Sequence, residues 1–82
     1  MTSKQEARKA EIDKLLEYLL TKLDADPSKW DSLYRLLNQY AYESGISART
    51  LKEYAFILAA AGKIDVTTVA ESPKVRRVAE AS

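Results

Sequence analysis

The chain has 82 residues, of which 46% are hydrophobic and 30% are charged, and its formal net charge is +1. This composition is typical of one small globular domain, and the near-neutral charge argues against the sequence-blind coating of DNA that depends on an excess of Lys and Arg. The chain has no Cys and no His, which excludes disulfides, thiolate or imidazole metal ligands and an imidazole general base.

The N-terminal segment is polar and charged, without the apolar run of a signal peptide or a membrane span. We therefore expect a protein of the cytoplasm or nucleoid that makes no membrane contact. The sequence also shows no Gly-rich phosphate loop, metal-ligand spacing or nucleophile motif. It predicts no cofactor, no metal and no catalytic residue, and we expect that the protein is not an enzyme.

The first predicted element is a long helix over residues 4–23. Ser3 and Glu6 have the spacing of a capping box, in which each side chain satisfies a backbone donor of the other residue. Apolar residues then recur at three- and four-residue steps: Ala7, Ile12, Leu15, Leu16, Leu19, Leu20 and Leu23. This wide stripe is either buried within the monomer or partly available for a homodimer through the same helix of a second copy.

The second predicted helix covers residues 29–42. Either Asp26, with Pro27 in the first turn, or Ser28 can cap it. Its apolar stripe consists of Trp30, Leu33, Leu37, Tyr40 and Ala41, with Leu36 beside it.

Gly45 interrupts the helical pattern and predicts a turn before a third helix over residues 48–61. Glycine takes the left-handed backbone conformation that residues with a Cβ resist, and Ser47 is a favourable N-cap for the helix that follows. Gly62 is expected to end this helix. The side chains expected to point inward are Leu51, Tyr54, Ala55 and Leu58.

The C-terminal segment allows two interpretations. Residues 63–69 alternate and are rich in β-branched side chains, which predicts a strand; 70–74 resemble a turn, and 75–78 would return as the hairpin partner. Ser72 followed by Pro73 is also typical of a helix start. The hairpin is favoured, and a C-terminal helix is the alternative.

The residues around Gly45 have the pattern of a helix-turn-helix. Ala41, four positions earlier, is small enough for two helices to cross closely. Ile46, Leu51 and Tyr54 supply side chains that would hold the second helix against the first. The connection also has the three- to four-residue length of this motif.

Residues 45–54 resemble the turn and recognition helix of helix-turn-helix proteins, and with residues 58–64 the chain is similar to the winged subtype. Ser44 departs from the pattern, because an apolar residue usually precedes the glycine. The resemblance implies a mainly α fold in one domain over residues 1–82, with a three-helix core and a C-terminal β-hairpin wing. It also implies binding to double-stranded DNA, with transcriptional regulation as the expected role.

In this resemblance the third helix enters the major groove with its N-terminal end first. Arg49 is the best candidate for reading a guanine edge, and Ser47 and Thr50 suit phosphate contacts. The tail cations would reach the DNA backbone or the minor groove from the wing. The candidate DNA-binding residues are Ser47, Ala48, Arg49, Thr50, Lys52, Glu53, Lys74, Arg76 and Arg77.

A second hypothesis uses the same fold for protein contacts only, as an accessory subunit of a replication or transcription complex. The cations of the third helix are then an ordinary solvated face, and Ser47 and Thr50 only cap the helix. Tyr34, Tyr42 and Phe56 lie off the main apolar stripes, and if exposed together they would form a surface for a protein partner. The near-neutral net charge also favours this hypothesis.

Overall fold

A computed structural model of the chain describes residues 4–67 and 72–78. Within these ranges the elements follow in the order α1 (Lys4–Lys22), β1 (Asp31–Ser32), α2 (Leu33–Ser44), α3 (Ala48–Ala60), β2 (Ile64–Thr67) and β3 (Lys74–Arg77). The mainly helical fold with a C-terminal hairpin is as predicted from the sequence. Ser3 of the predicted capping box, and residues 68–71 of the predicted strand and turn, lie outside the described residues.

The three strands form one antiparallel sheet in the order β1-β3-β2, so that β3 lies in the middle. Val75 of β3 pairs with Asp31 on one side and with Val66 on the other. The predicted hairpin is confirmed, and the alternative helix after Ser72 is wrong. The Pro73 carbonyl accepts a hydrogen bond from the Leu33 N–H at 3.2 Å. This bond connects the start of α2 to the residue before β3.

The predicted start of the second helix at residue 29 is wrong, and so are both predicted caps. The Asp26 carboxylate accepts hydrogen bonds from the backbone N–H of Ser28 at 3.0 Å and from its hydroxyl at 2.8 Å. These bonds form a local turn, and the backbone hydrogen bond is the main cause that lowers the pKa of Asp26. The side chain of Asp26 therefore stabilises the loop after α1 rather than the start of a helix.

The chain is extended through Asp31–Ser32, where it pairs with β3, and the helix begins only afterwards. Ser32 is the N-cap of α2, and its hydroxyl oxygen accepts a hydrogen bond from the Arg35 N–H at 3.5 Å. Trp30 consequently precedes the helix and is 38% exposed, instead of lying in the buried stripe that the sequence predicts.

The core lies between the three helices and the inner face of the sheet. Its fully buried large side chains are Leu15, Leu19, Leu33, Leu37, Leu51, Ile64 and Val75. Burial of each such side chain contributes about 1.5–3 kcal/mol. On α1, however, Leu16 and Leu20 are only half-buried, so the apolar stripe of this helix is wider than the core that covers it.

A three-residue connection joins α2 to α3 and sets the position of α3. Gly45 has φ +77°, and its N–H donates a hydrogen bond to the Ala41 carbonyl at 3.0 Å. The hydroxyl of Ser44 accepts a hydrogen bond from the Ile46 N–H at 3.2 Å. Ser44, which departs from the helix-turn-helix pattern, therefore stabilises the turn by a polar contact in place of an apolar one.

Replacement of Gly45 by Ala is expected to lower the free energy of unfolding by about 1–2 kcal/mol, because a residue with a Cβ resists the left-handed conformation. An added Cβ would meet no atom within 4 Å, so the loss reflects the backbone alone. Gly45→Asn should lose less, since Asn tolerates this conformation better. Urea unfolding followed by circular dichroism measures the difference, and equal stability of all three proteins would contradict the left-handed cap.

Candidate nucleic-acid interface

α3 has one buried side and one exposed side. Leu51, Tyr54, Ala55 and Leu58 are buried against the rest of the protein. The helical period of 3.6 residues places positions 49, 53, 56 and 60 on the opposite side. We call this set the outer stripe; it consists of the exposed residues Arg49, Glu53, Phe56 and Ala60.

Ser47 and Thr50 form the N-terminal cap of α3. The Ser47 hydroxyl oxygen accepts a hydrogen bond from the Thr50 N–H at 3.2 Å, and the hydroxyl donates to the Thr50 hydroxyl at 2.9 Å. Ala48 is half-buried behind this cap. One hydroxyl proton of this pair lies between the two oxygens, which leaves the other proton for a further acceptor.

Arg49 is exposed in the first turn of α3. Within residues 4–67 and 72–78 its guanidinium has no hydrogen bond, ion pair or ring contact. Lys52 is placed differently: it is half-buried, and its Nζ lies 5.4 Å from the ring centroid of Tyr34 and 5.9 Å from that of Phe56. Arg49 is thus free to meet a ligand, while Lys52 makes modest cation–π contacts with α2 and with its own helix.

The tail cations do not form one basic surface. Lys74 is exposed, and Arg76 is on the same face of β3 because strand side chains alternate. The Arg76 guanidinium lies 4.2 Å from the Trp30 ring centroid, and its Nε is 2.9 Å from Oδ2 of Asp65. The charge of Arg76 is therefore partly neutralised by Asp65 on the outer face of the sheet.

Arg77 lies on the opposite face of β3 and reaches the end of α1. Its Nε donates a hydrogen bond to the Asp24 carbonyl at 3.1 Å, and its Nη2 donates to the Leu20 carbonyl. Carbonyl groups at a helix C-terminus lack helical partners and carry partial negative charge, so Arg77 satisfies them and stabilises α1. Of the three tail cations, Lys74 alone has a side chain without a partner among the described residues.

One contact that fixes the orientation of α3 is missing from the sequence predictions. The Tyr54 hydroxyl donates a hydrogen bond to Oε2 of Glu11 on α1 at 2.7 Å, and this bond raises the pKa of Tyr54. The Arg8 guanidinium lies 5.7 Å from the Tyr54 ring centroid. These residues are about forty positions apart, so no local pattern in the sequence indicates the contact.

The aromatic residues off the apolar stripes are only partly brought together. The rings of Tyr34 and Phe56 both lie near the ammonium group of Lys52. Tyr42, which is 93% exposed, lines a separate groove together with Tyr18 of α1. The predicted aromatic surface is therefore reduced to the Tyr34–Phe56 pair.

Among the described residues, none of the helices combines the length and the apolar character that crossing a membrane requires. Residues 4–67 and 72–78 contain no group of three or more acidic side chains placed to hold a metal ion. Comparison of the chain with protein-family models, with curated proteins and with solved structures gave no match. The geometry of α3 and of the hairpin is therefore the basis for a functional proposal.

The two cations at opposite ends of β3, Lys74 and Arg77, should differ in their effect on stability. Arg77→Met is expected to lower the free energy of unfolding by about 1–2 kcal/mol, because two carbonyls at the end of α1 lose their charged donor. Lys74→Met, on the same strand, should change it by less than about 0.5 kcal/mol. Urea unfolding of both variants provides the measurement, and equal losses would show that Arg77 does not cap α1.

Proposed function

We propose that this chain binds double-stranded DNA through α3, with the N-terminal end of that helix in the major groove, and that it acts as a transcriptional regulator in the cytoplasm. The observation that carries the proposal is the position of Arg49: exposed, unpaired within the described chain, and in the first turn of a capped helix whose other side is buried.

The chemistry of α3 supports contact with both bases and phosphates. A guanidinium can donate two parallel hydrogen bonds to O6 and N7 of guanine, which is the commonest specific contact in the major groove. The helix N-terminus carries partial positive charge and attracts a phosphate, to which the Thr50 hydroxyl can donate. α3 has 13 residues and is therefore about 20 Å long, which suits a groove about 12 Å wide.

Few cations are available for phosphate contacts. Arg77 binds the end of α1. Arg76 forms an ion pair with Asp65 and lies over the ring of Trp30. Arg49, Lys52 and Lys74 remain. Three neutralised phosphates correspond to a slope of about −2.7 in the plot of log binding constant against log salt concentration. One copy of the chain should therefore bind DNA weakly at physiological salt.

Arg49→Ala is expected to weaken binding to a preferred site by about 1–3 kcal/mol and to relax the preference at one base pair, because it removes the base contact. The site is first selected from a random duplex pool, and binding is then measured by fluorescence anisotropy over a series of salt concentrations. Lys52→Ala should weaken binding to all duplexes alike.

Lys22→Ala, which removes an exposed cation in the last turn of α1 beside α2, is the matched control and should bind as the parent does. If Arg49→Ala and Lys52→Ala also bind as the parent does, the assigned face is wrong. Absence of duplex binding by the parent at low salt would refute DNA binding itself.

A second candidate function is protein docking, as an accessory subunit of a replication or transcription complex. Phe56 favours it, because this side chain is 36% exposed in the middle of the outer stripe. Glu53 lies on the same stripe and would oppose a phosphate, and Tyr34 extends the apolar surface toward α2. Aromatic side chains of this kind commonly anchor protein interfaces.

Phe56→Ala distinguishes the two candidates. If the surface binds a protein, the immobilised parent should retain a stoichiometric polymerase-type subunit from cell extract, and Phe56→Ala should lose it because the aromatic anchor is removed. Tyr42→Ala, in a separate groove, should retain it. Equal retention by Phe56→Ala and the parent would contradict docking on the outer stripe.

A further inference from the structure

α1 and α3 leave an apolar groove of about 280 Å³ between them. Ile12 and Leu16 line it from α1, and both are only half-buried. Ile57 lines it from α3 and is 40% exposed. The floor of the groove thus contains the part of the α1 stripe that the core does not cover, together with an exposed aliphatic side chain of α3.

The charged residues around this floor are mainly cations. Arg8 and Lys9 line the groove from α1, and Lys63 lines it from the segment after α3. Asp13 is the one anion among the described lining residues, so the groove has a net charge of +2. The whole chain has a net charge of +1. The rest of the chain therefore carries no net positive charge, and the excess of cations lies at this groove.

The three cations are available to a ligand. The side chains of Lys9 and Lys63 are exposed and have no hydrogen bond, ion pair or ring contact within residues 4–67 and 72–78. Arg8 is also exposed, and its guanidinium lies 5.7 Å from the Tyr54 ring centroid, a contact that leaves its charge uncompensated. The carboxylate of Glu11, one turn after Arg8, accepts the hydrogen bond of the Tyr54 hydroxyl.

We propose that this groove binds an acidic amphipathic helix of a partner protein. The apolar side of such a helix packs on Ile12, Leu16 and Ile57, and carboxylates that flank the apolar side pair with the three cations. Opposite charges steer the partner toward the groove and disfavour partners of the wrong sign. A second copy of the chain is one such wrong partner, because it brings the same excess of cations to the interface.

The walls of the groove determine the conformation of the occupant. Both walls are helices, whose backbone N–H and C=O groups bond to each other within the helix, so the groove has no strand edge to which an extended peptide could add. A helical occupant satisfies its own backbone groups and needs only side-chain contacts. The groove is also smaller than the ~300–1,000 Å³ of typical small-molecule pockets, which favours a helix that lies along it.

The length of the groove sets the number of anchors. Its α1 lining extends from residue 8 to residue 16, which is about 12 Å along the helix axis. Apolar side chains at positions i, i+4 and i+7 of a partner helix cover about two turns and match this length. Because so short a contact buries less than the ~800 Å² per partner of a standard interface, we expect dissociation constants in the micromolar range.

NMR titration of the ¹⁵N-labelled full chain, without DNA, tests the proposal. The probe is a synthetic helix of about five turns, with Leu at positions i, i+3, i+4 and i+7, Glu on both sides of this stripe and Ala elsewhere. The amide signals of Ile12, Leu16, Ile57 and Ala61 should shift and saturate between about 1 and 100 μM. Two matched peptides, one with Gln for every Glu and one with Ser for every Leu, should each bind at least about tenfold more weakly.

Charge reversal tests the role of the cations. Lys9→Glu combined with Lys63→Glu should weaken binding by about tenfold or more and should create affinity for a peptide with Lys in place of Glu. A folding defect would not produce this exchange of specificity. Lys14→Glu, on α1 but in a separate groove, is the matched control and should stay within about threefold of the parent. Asp13→Asn should tighten binding by about twofold or more, because it removes the anion.

The absence of saturable shifts at about 1 mM peptide overturns the proposal. So do shifts confined to the outer stripe, equal binding of the Leu-to-Ser peptide, or unchanged binding by the double charge variant. Groove shifts that dodecanoate produces and the peptide does not would assign the groove to an anionic amphiphile, and groove shifts that grow with protein concentration alone would assign it to a second copy. Both results contradict the proposal. DNA is absent throughout, so failure here is distinguishable from failure of duplex binding.

Discussion

The burial of one side of α3 determines most of the surface that this chain presents. Leu51 and Leu58 are enclosed by the other elements, and Tyr54 is additionally held to α1 by its hydrogen bond to Glu11. Because the helical period is fixed, enclosure of these residues turns the opposite side of the helix to solvent. No separate interaction is needed to expose Arg49, because its position follows from hydrophobic packing on the opposite side of the same helix.

The middle strand β3 connects the segment before α2 and the C-terminal end of α1 to the core. Val75 packs inward, and the alternation of strand side chains directs Arg77 to the same face, where it meets the Leu20 carbonyl in the last turn of α1 and the Asp24 carbonyl just after it. Arg76, on the outer face, lies against Trp30 from the segment before β1. Two neighbouring arginines thus stabilise different contacts, and both reduce the number of cations available to a nucleic acid.

The helices and the turn at Gly45 were predictable because their signals are local: leucines at helical spacing, a glycine, and a serine cap. β1 was not, because a two-residue strand has no periodicity and its pairing partner lies more than forty residues away. This non-local pairing is why the predicted helix began four residues too early. The exposed side of α3 could be predicted from helical periodicity. The contacts of Arg76 and Arg77 could not, because they depend on how the strands pair. The alternation of side chains next to a buried Val75 is the one local signal that directs Arg77 inward.

The small positive charge of the chain limits how tightly α3 can bind a polyanion. A net charge of +1 and only three available cations among the assigned DNA-binding residues give the chain little affinity for a polyanion, and the Glu53 carboxylate on the same stripe reduces it further. Selectivity for one DNA site would then depend on the base contact of Arg49, because contacts to base edges distinguish sequences whereas phosphate contacts do not.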